Sequence, residues 1–170
     1  MTISIHQVYL LLGANIQPEK NIPLAVSLLK KQLRVLRISS VWESEAVGSD
    51  GPNFLNAVLL AATPLDPETL KTEVLRPLEA KLGRVRSANK YAPRPIDLDI
   101  LIFDETVIEP NLWNYAFRAA PLAEILPEYL SPEGERLETA AARLIQQTPI
   151  WIRKDVPADP VSTEGVITEG

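Results

Sequence analysis

The segment Arg94-Pro95-Ile96-Asp97-Leu98-Asp99-Ile100-Leu101 alternates acidic and aliphatic residues. A strand presents successive side chains to opposite faces, so Asp97 and Asp99 share one face while Ile96, Leu98 and Ile100 take the other. Two neighbouring carboxylates on a rigid strand repel each other, and a divalent cation between them relieves that repulsion. Magnesium suits such a pair, because it usually combines one or two protein carboxylates with water and phosphate oxygens. Taken alone, Asp-x-Asp fits an ordinary solvent-facing strand better than a metal site.

The neighbourhood shifts that balance. Arg84, Arg86, Lys90 and Arg94 place four cations just upstream of the two carboxylates. A metal-bound polyphosphate needs this combination: the metal bridges some phosphate oxygens while arginine forks hold others. Basic residues after a helix end also complement its dipole, which explains Arg84 well and Lys90 or Arg94 poorly.

Composition narrows the chemistry further. The chain has 170 residues, 46% of them apolar, which suits one domain with one buried core. A formal charge of -5 argues against a general nucleic-acid binder. There are no cysteines, so disulfides, thiolate metal sites and thiol nucleophiles are excluded. That usage fits a reducing, cytoplasmic setting. The single histidine, His6, precedes the first apolar run and makes a histidine metal cage or a Ser/His/Asp triad improbable. Val8–Leu12 is too short for a signal segment or a membrane span.

The elements that must position these groups follow from periodicity. Val8 to Leu12 reads as a buried strand ended by Gly13, followed by an amphipathic helix from about Asn21 with Leu24, Leu28 and Leu29 on one face. Val35 to Glu45 reads as one strand and Phe54 to Ala62 as another, separated by a turn-rich loop from Gly48 to Asn53. Asp66-Pro67 supplies an N-cap and helix start, Gly83 a stop, and Pro77 a kink within. Ile96 to Phe103 is the acidic strand, and Pro121 to Leu126 and Leu137 to Ile145 are two further short helices. The β-α-β-β-α-β order predicts an α+β ferredoxin-like sandwich, mostly antiparallel, with extra C-terminal helices. The expected organisation is a single domain over 1–153 and a flexible tail over 154–170, where large apolar residues thin out.

With its preceding Pro93, the Arg94–Leu101 segment resembles the signature of the 6-hydroxymethyl-7,8-dihydropterin pyrophosphokinase family. Further pieces agree in order: Leu11-Leu12-Gly13-Ala14-Asn15, Ser39–Ser44, Phe54-Leu55-Asn56-Ala57, Glu79 with Gly83-Arg84-Val85-Arg86, and Pro121–Ile125 with Pro132-Glu133-Gly134. The resemblance runs from about Val8 to Ile145. It implies transfer of diphosphate from ATP to the pterin hydroxymethyl group with release of AMP. It implies two magnesium ions on Asp97 and Asp99, with Arg84 and Arg94 also acting on the phosphates. Glu79, Arg84, Arg86, Lys90, Arg94 and Ile100 would form the nucleotide side. Ser44, Val47, Phe54, Asn56 and Phe117 would form the pterin side. The expected partners are those two small molecules, with neither nucleic acid nor membrane, and the protein is expected to act as a monomer.

Two features depart from the family pattern. The stretch from Asp99 to Pro121 is shorter by several residues and lacks its usual histidine and arginine, and Tyr91 stands where tryptophan is common. Phe117 keeps its distance from Pro121, whereas Arg118, one residue on, is expected to point elsewhere. Trp113 or Tyr115 is expected to take over some cover of the site. A pterin- or nucleotide-binding relative without turnover, or a simple interaction module, are the competing readings.

Overall fold

The computed structural model describes residues 3–48, 50–89 and 91–160, and these pack around one sheet. Strands β1 (His6–Ala14), β4 (Phe54–Thr63) and β5 (Asp97–Phe103) form its centre, with β1 antiparallel to both of the others. The short β6 (Thr106–Val107) extends the β5 edge. On the other side, β2 (Arg34–Ile38) and β3 (Trp42–Ser44) both pair with β4, and β7 (Ile150–Ile152) pairs with β3. The antiparallel α+β arrangement is the expected ferredoxin-like one.

Each face of the sheet has its own core. Val8, Leu10 and Leu12 of β1 and Leu98 of β5 pack towards helix α1 (Pro18–Lys30) and the helical segment that ends in α3 (Arg76–Lys81). Tyr9, Leu11, Val58 and Leu101 pack towards α4 (Ala116–Ile125) and α5 (Leu137–Gln147). The period of two in β1 therefore sorts its side chains between two helical layers.

The segment before β5 is one helix in three parts: α2 (Pro67–Leu70), a π turn over Lys71–Leu75, and α3. Asp66 caps it by accepting from the Thr69 amide at 2.8 Å. Pro77 has no N–H to give, and the chain widens into the π turn just before it instead of breaking. At the far end Gly83 takes φ 95°, and Arg84 N–H donates to the Glu79 carbonyl at 3.0 Å. This closing turn sends Arg84 and Arg86 towards β5.

Three expected elements differ in detail. Val35–Glu45 is two strands, because Ser39 Oγ accepts from Val58 N–H at 2.9 Å where a regular ladder would continue. The helix expected at Pro121 starts at Ala116, so Pro121 lies inside α4. Residues 154–160 do not behave as a loose tail: Val156 and Ala158 are buried in the first core, and Lys30 pairs with Asp159 at 2.6 Å. Residues 161–170 of the expected tail lie outside the described residues.

Candidate active site

The second face of the sheet is covered by α4 and α5 over only part of its length. Beyond that cover, a pocket of about 330 Å³ opens over the ends of β1, β4 and β5. Strand register builds its floor. Gly13 pairs with Asn56 on one side and Asp97 on the other, and Leu11 pairs with Asp99. Asn56, Gly13 and Asp97 thus form one row across three strands. A methyl group on Gly13 would lie 3.4 Å from Asn56 Oδ1, so the missing side chain keeps the floor low between the amide and the carboxylate.

One end of the pocket is acidic and cationic together. Arg94 Nη1 lies 3.3 Å from Asp97 Oδ2, and Arg86 Nη2 lies 4.0 Å from Asp97 Oδ1. Arg94 is fixed by its backbone as well. Its N–H donates to Asn15 Oδ1 at 2.7 Å, and its carbonyl accepts from Asn15 N–H at 3.0 Å. Burial, then the Asp97 and Glu79 carboxylates, push Asp99 up to about 7, while Arg76 and Arg118 pull it down. A half-buried acid beside a second carboxylate resists losing its proton, and a divalent cation would reverse that preference. The donor set fits a hard cation: two carboxylates, with the remaining ligands left to water and phosphate.

The opposite end is a slot with a polar handle. Asn56 is 2% exposed, and its Nδ2 donates to Ser44 Oγ at 2.9 Å. Phe54, Val47 and Phe117 supply apolar walls around it. A buried amide between apolar walls recognises a flat ring with donor and acceptor edges. Across the mouth, Tyr91 packs on Gly48, where a Cβ would come within 2.5 Å of the ring.

The pocket thus collects eight of the expected residues: Ser44, Val47, Phe54, Asn56, Arg94, Asp97, Asp99 and Phe117. Glu79, Arg84, Arg86 and Ile100 do not line it. Glu79 is buried beneath β5, accepting from Leu98 N–H at 2.7 Å and from Arg76 and Arg86 at 3.0 Å each. Burial holds the Arg84 guanidinium below its ordinary pKa, with the Arg94 charge adding to the effect, and its Nε has no hydrogen-bond partner. Ile100 packs against the first core. Lys90 lies outside the described residues.

One expectation changes and another narrows. Arg118 does not point away but lines this pocket, over the rings of Phe117 and Tyr115. Of the two aromatics expected to cover the site, Tyr115 is in its wall, whereas Trp113 stacks on Tyr129 in the second core. Sequence reasoning also missed Gly13 as floor and Asn111 as wall. Only strand register reveals the first, and no signal in the chain marks the second.

Comparison with known proteins finds a family and relatives that this chain resembles. Residues 9–127 match the family described as 7,8-dihydro-6-hydroxymethylpterin-pyrophosphokinase (HPPK). The chain is 34% identical over 145 residues to the 2-amino-4-hydroxy-6-hydroxymethyldihydropteridine pyrophosphokinase of Pseudomonas aeruginosa, covering 78% of this chain and 88% of that protein. It is 37% identical over 135 residues to the enzyme of that name from Aquifex aeolicus, covering 74% and 83%. The match to a folate synthesis bifunctional protein of Arabidopsis thaliana is 35% over 136 residues, 74% of this chain but only 28% of that protein. In structure it resembles the Plasmodium falciparum HPPK-DHPS crystallised with pterin and p-hydroxybenzoate, with TM-score 0.66 and 12% identity. That likeness covers 90% of this chain and 46% of the other.

Proposed function

The chain belongs to the 7,8-dihydro-6-hydroxymethylpterin-pyrophosphokinase family, and from that premise we propose that the pocket over β1, β4 and β5 brings ATP and 6-hydroxymethyl-7,8-dihydropterin together for diphosphate transfer in folate biosynthesis. The carrying observation is the placement of Asp97 and Asp99 in the same pocket as the Asn56–Ser44 slot. A readings as a simple interaction module is not favoured, since such a module needs neither end.

The pterin hydroxymethyl oxygen forms a bond to the β-phosphorus of ATP. The bond from that phosphorus to the oxygen bridging the α-phosphate breaks, AMP leaves with the bridging oxygen, and the hydroxyl proton is released. Two magnesium ions held by Asp97 and Asp99 would neutralise phosphate charge and acidify the hydroxyl. Asn56 and Ser44 orient the pterin edge, and Phe54 and Phe117 hold its faces. Arg94 holds phosphate oxygens, with Arg84 and Arg86 drawn in from the adjoining loop. Orientation and fixed charge carry most of the rate in such transfers, and no protein nucleophile is needed.

Incubating the protein with ATP, magnesium and the pterin alcohol should release AMP, and Asp97→Ala should abolish it. Release of ADP, or AMP that survives Asp97→Ala, would overturn the assignment. We read the protein as a cytoplasmic monomer; no described helix is long and apolar enough to cross a membrane. Sedimentation at working concentration tests the monomer.

A further inference from the structure

Arg118 sits in the first turn of α4 and lines the same pocket as the two aspartates. Its guanidinium lies 4.7 Å over the Phe117 ring and 5.2 Å over the Tyr115 ring. Its Nε is buried without a hydrogen-bond partner. The neighbouring cations are differently placed. Arg94 is engaged with Asp97 and the Ala92 carbonyl, and Arg86 and Arg76 with Glu79. Buried polar groups are seldom left unpaired, and a guanidinium resting on aromatic faces keeps its in-plane donors free for a ligand. Arg118 and both aspartates line one pocket, so its guanidinium faces the space that the carboxylates border.

We propose that Arg118 is a further catalytic residue of this chain, whose guanidinium binds the transferred diphosphate from the α4 side of the pocket. Phe117 and Tyr115 act as its rest, restricting the guanidinium to one plane. It is thereby pre-organised for bidentate contact with phosphate oxygens. The diphosphate would then be held by cations on two sides, Arg94 from the loop before β5 and Arg118 from α4. This inference rests on the diphosphate transfer assigned above.

The test compares wild type with Arg118→Ala, Arg118→Lys and Arg118→Gln, each checked for an unchanged thermal melt. AMP release gives kcat, pterin fluorescence gives the pterin Kd, and calorimetry with α,β-methylene-ATP gives the nucleotide Kd. Arg118→Ala should lower kcat about 100-fold, the scale of losing one donor to developing charge. Its pterin Kd should stay within about twofold, since the polar handle of the slot, Asn56 on Ser44, is untouched. Arg118→Lys should remain at least about tenfold below wild type, because an ammonium cannot fork. Added guanidinium ion should restore part of the Arg118→Ala rate and none to wild type, which a merely structural role would not produce. An unchanged kcat, or a pterin Kd that rises in step with the loss of rate, overturns the proposal. If wild type releases no AMP, the assigned reaction fails and the analogue decides the matter for Arg118. A drop of about tenfold in its affinity supports a phosphate contact, and unchanged affinity overturns it.

Discussion

The backbone amide of Leu98, the residue between Asp97 and Asp99, donates to the carboxylate of Glu79 at 2.7 Å. The acid that the family resemblance places near the nucleotide is also an anchor beneath the strand. It holds β5 against α3 and takes Arg76 and Arg86 on its other oxygen.

Glu79→Ala removes a buried acceptor and leaves the Leu98 amide and two guanidinium groups unmatched. We expect a stability loss of about 3 kcal/mol, because breaking a buried charged network strands its partners. Glu79→Gln keeps an acceptor for Leu98 and should lose less. Urea unfolding of both variants measures the difference, and equal losses would remove the amide contact from the explanation.

Asp99 gives a pH dependence with a defined sign. Its folded pKa of about 7 lies above the ordinary 3.8, so the folded state binds its proton more tightly than the unfolded state does. The stabilisation is fully present below the ordinary value and is lost as pH rises through 7. In EDTA, Asp99→Asn should therefore match wild type near pH 4 and exceed it at pH 8 by up to roughly 4 kcal/mol. Magnesium should stabilise wild type above pH 7 and progressively less below it, as protons compete for the carboxylate. Melting curves across this range with and without magnesium supply the check.

Asn56 separates the two ends of the pocket. Asn56→Ala strips the slot of its buried amide and leaves Ser44 Oγ without its donor. The pterin Kd should rise by roughly 10- to 100-fold, in line with removing a buried hydrogen-bonding group. Affinity for α,β-methylene-ATP should hold, and parallel weakening of both ligands would show that the slot is misassigned.

Gly48 and Tyr91 meet across the mouth. Gly48→Ala forces a Cβ to within 2.5 Å of the Tyr91 ring and strains a residue at φ 80°. The pterin KM should rise several-fold. The double variant with Tyr91→Ala relieves the clash but not the backbone strain, which is worth roughly 1 kcal/mol for a non-glycine residue. A kinetic double-mutant cycle should therefore show positive coupling, and strict additivity would mean that the two residues act independently.

Much of this site was legible in the chain because β5 obeys a simple rule. Strand alternation alone puts Asp97 and Asp99 opposite Leu98, and the structure keeps that division. Arg118 was illegible for the complementary reason. In extended chain, Phe117 and Arg118 would point apart, but α4 begins at Ala116, and neighbours on a helix diverge by only about 100°. Both can then flank one pocket. The split of Val35–Glu45 depends on a hydroxyl standing in for a ladder bond, which no hydrophobic pattern records. Burial of Val156 and Ala158 rests on two small apolar residues among polar ones, too faint a signal for composition to carry.

Between Tyr9 and Leu10 the pairing of β1 with β5 slips, from Ile102 to Ile100, so Leu101 is the extra residue. Leu101 and Ile102 consequently pack on the same helical layer, and Phe103 returns to the other. The slip works as a frame reset within the strand. Upstream of it, the count of residues from Pro95 decides which side chains enter the pocket; downstream, a separate count decides which enter the cores. Loss of Leu101 at the slip would leave a regular ladder, with both halves in their present frame and both aspartates in place. Loss of Leu98 would instead turn Asp99 towards the first core and bring Ile100 to its place on the pocket floor.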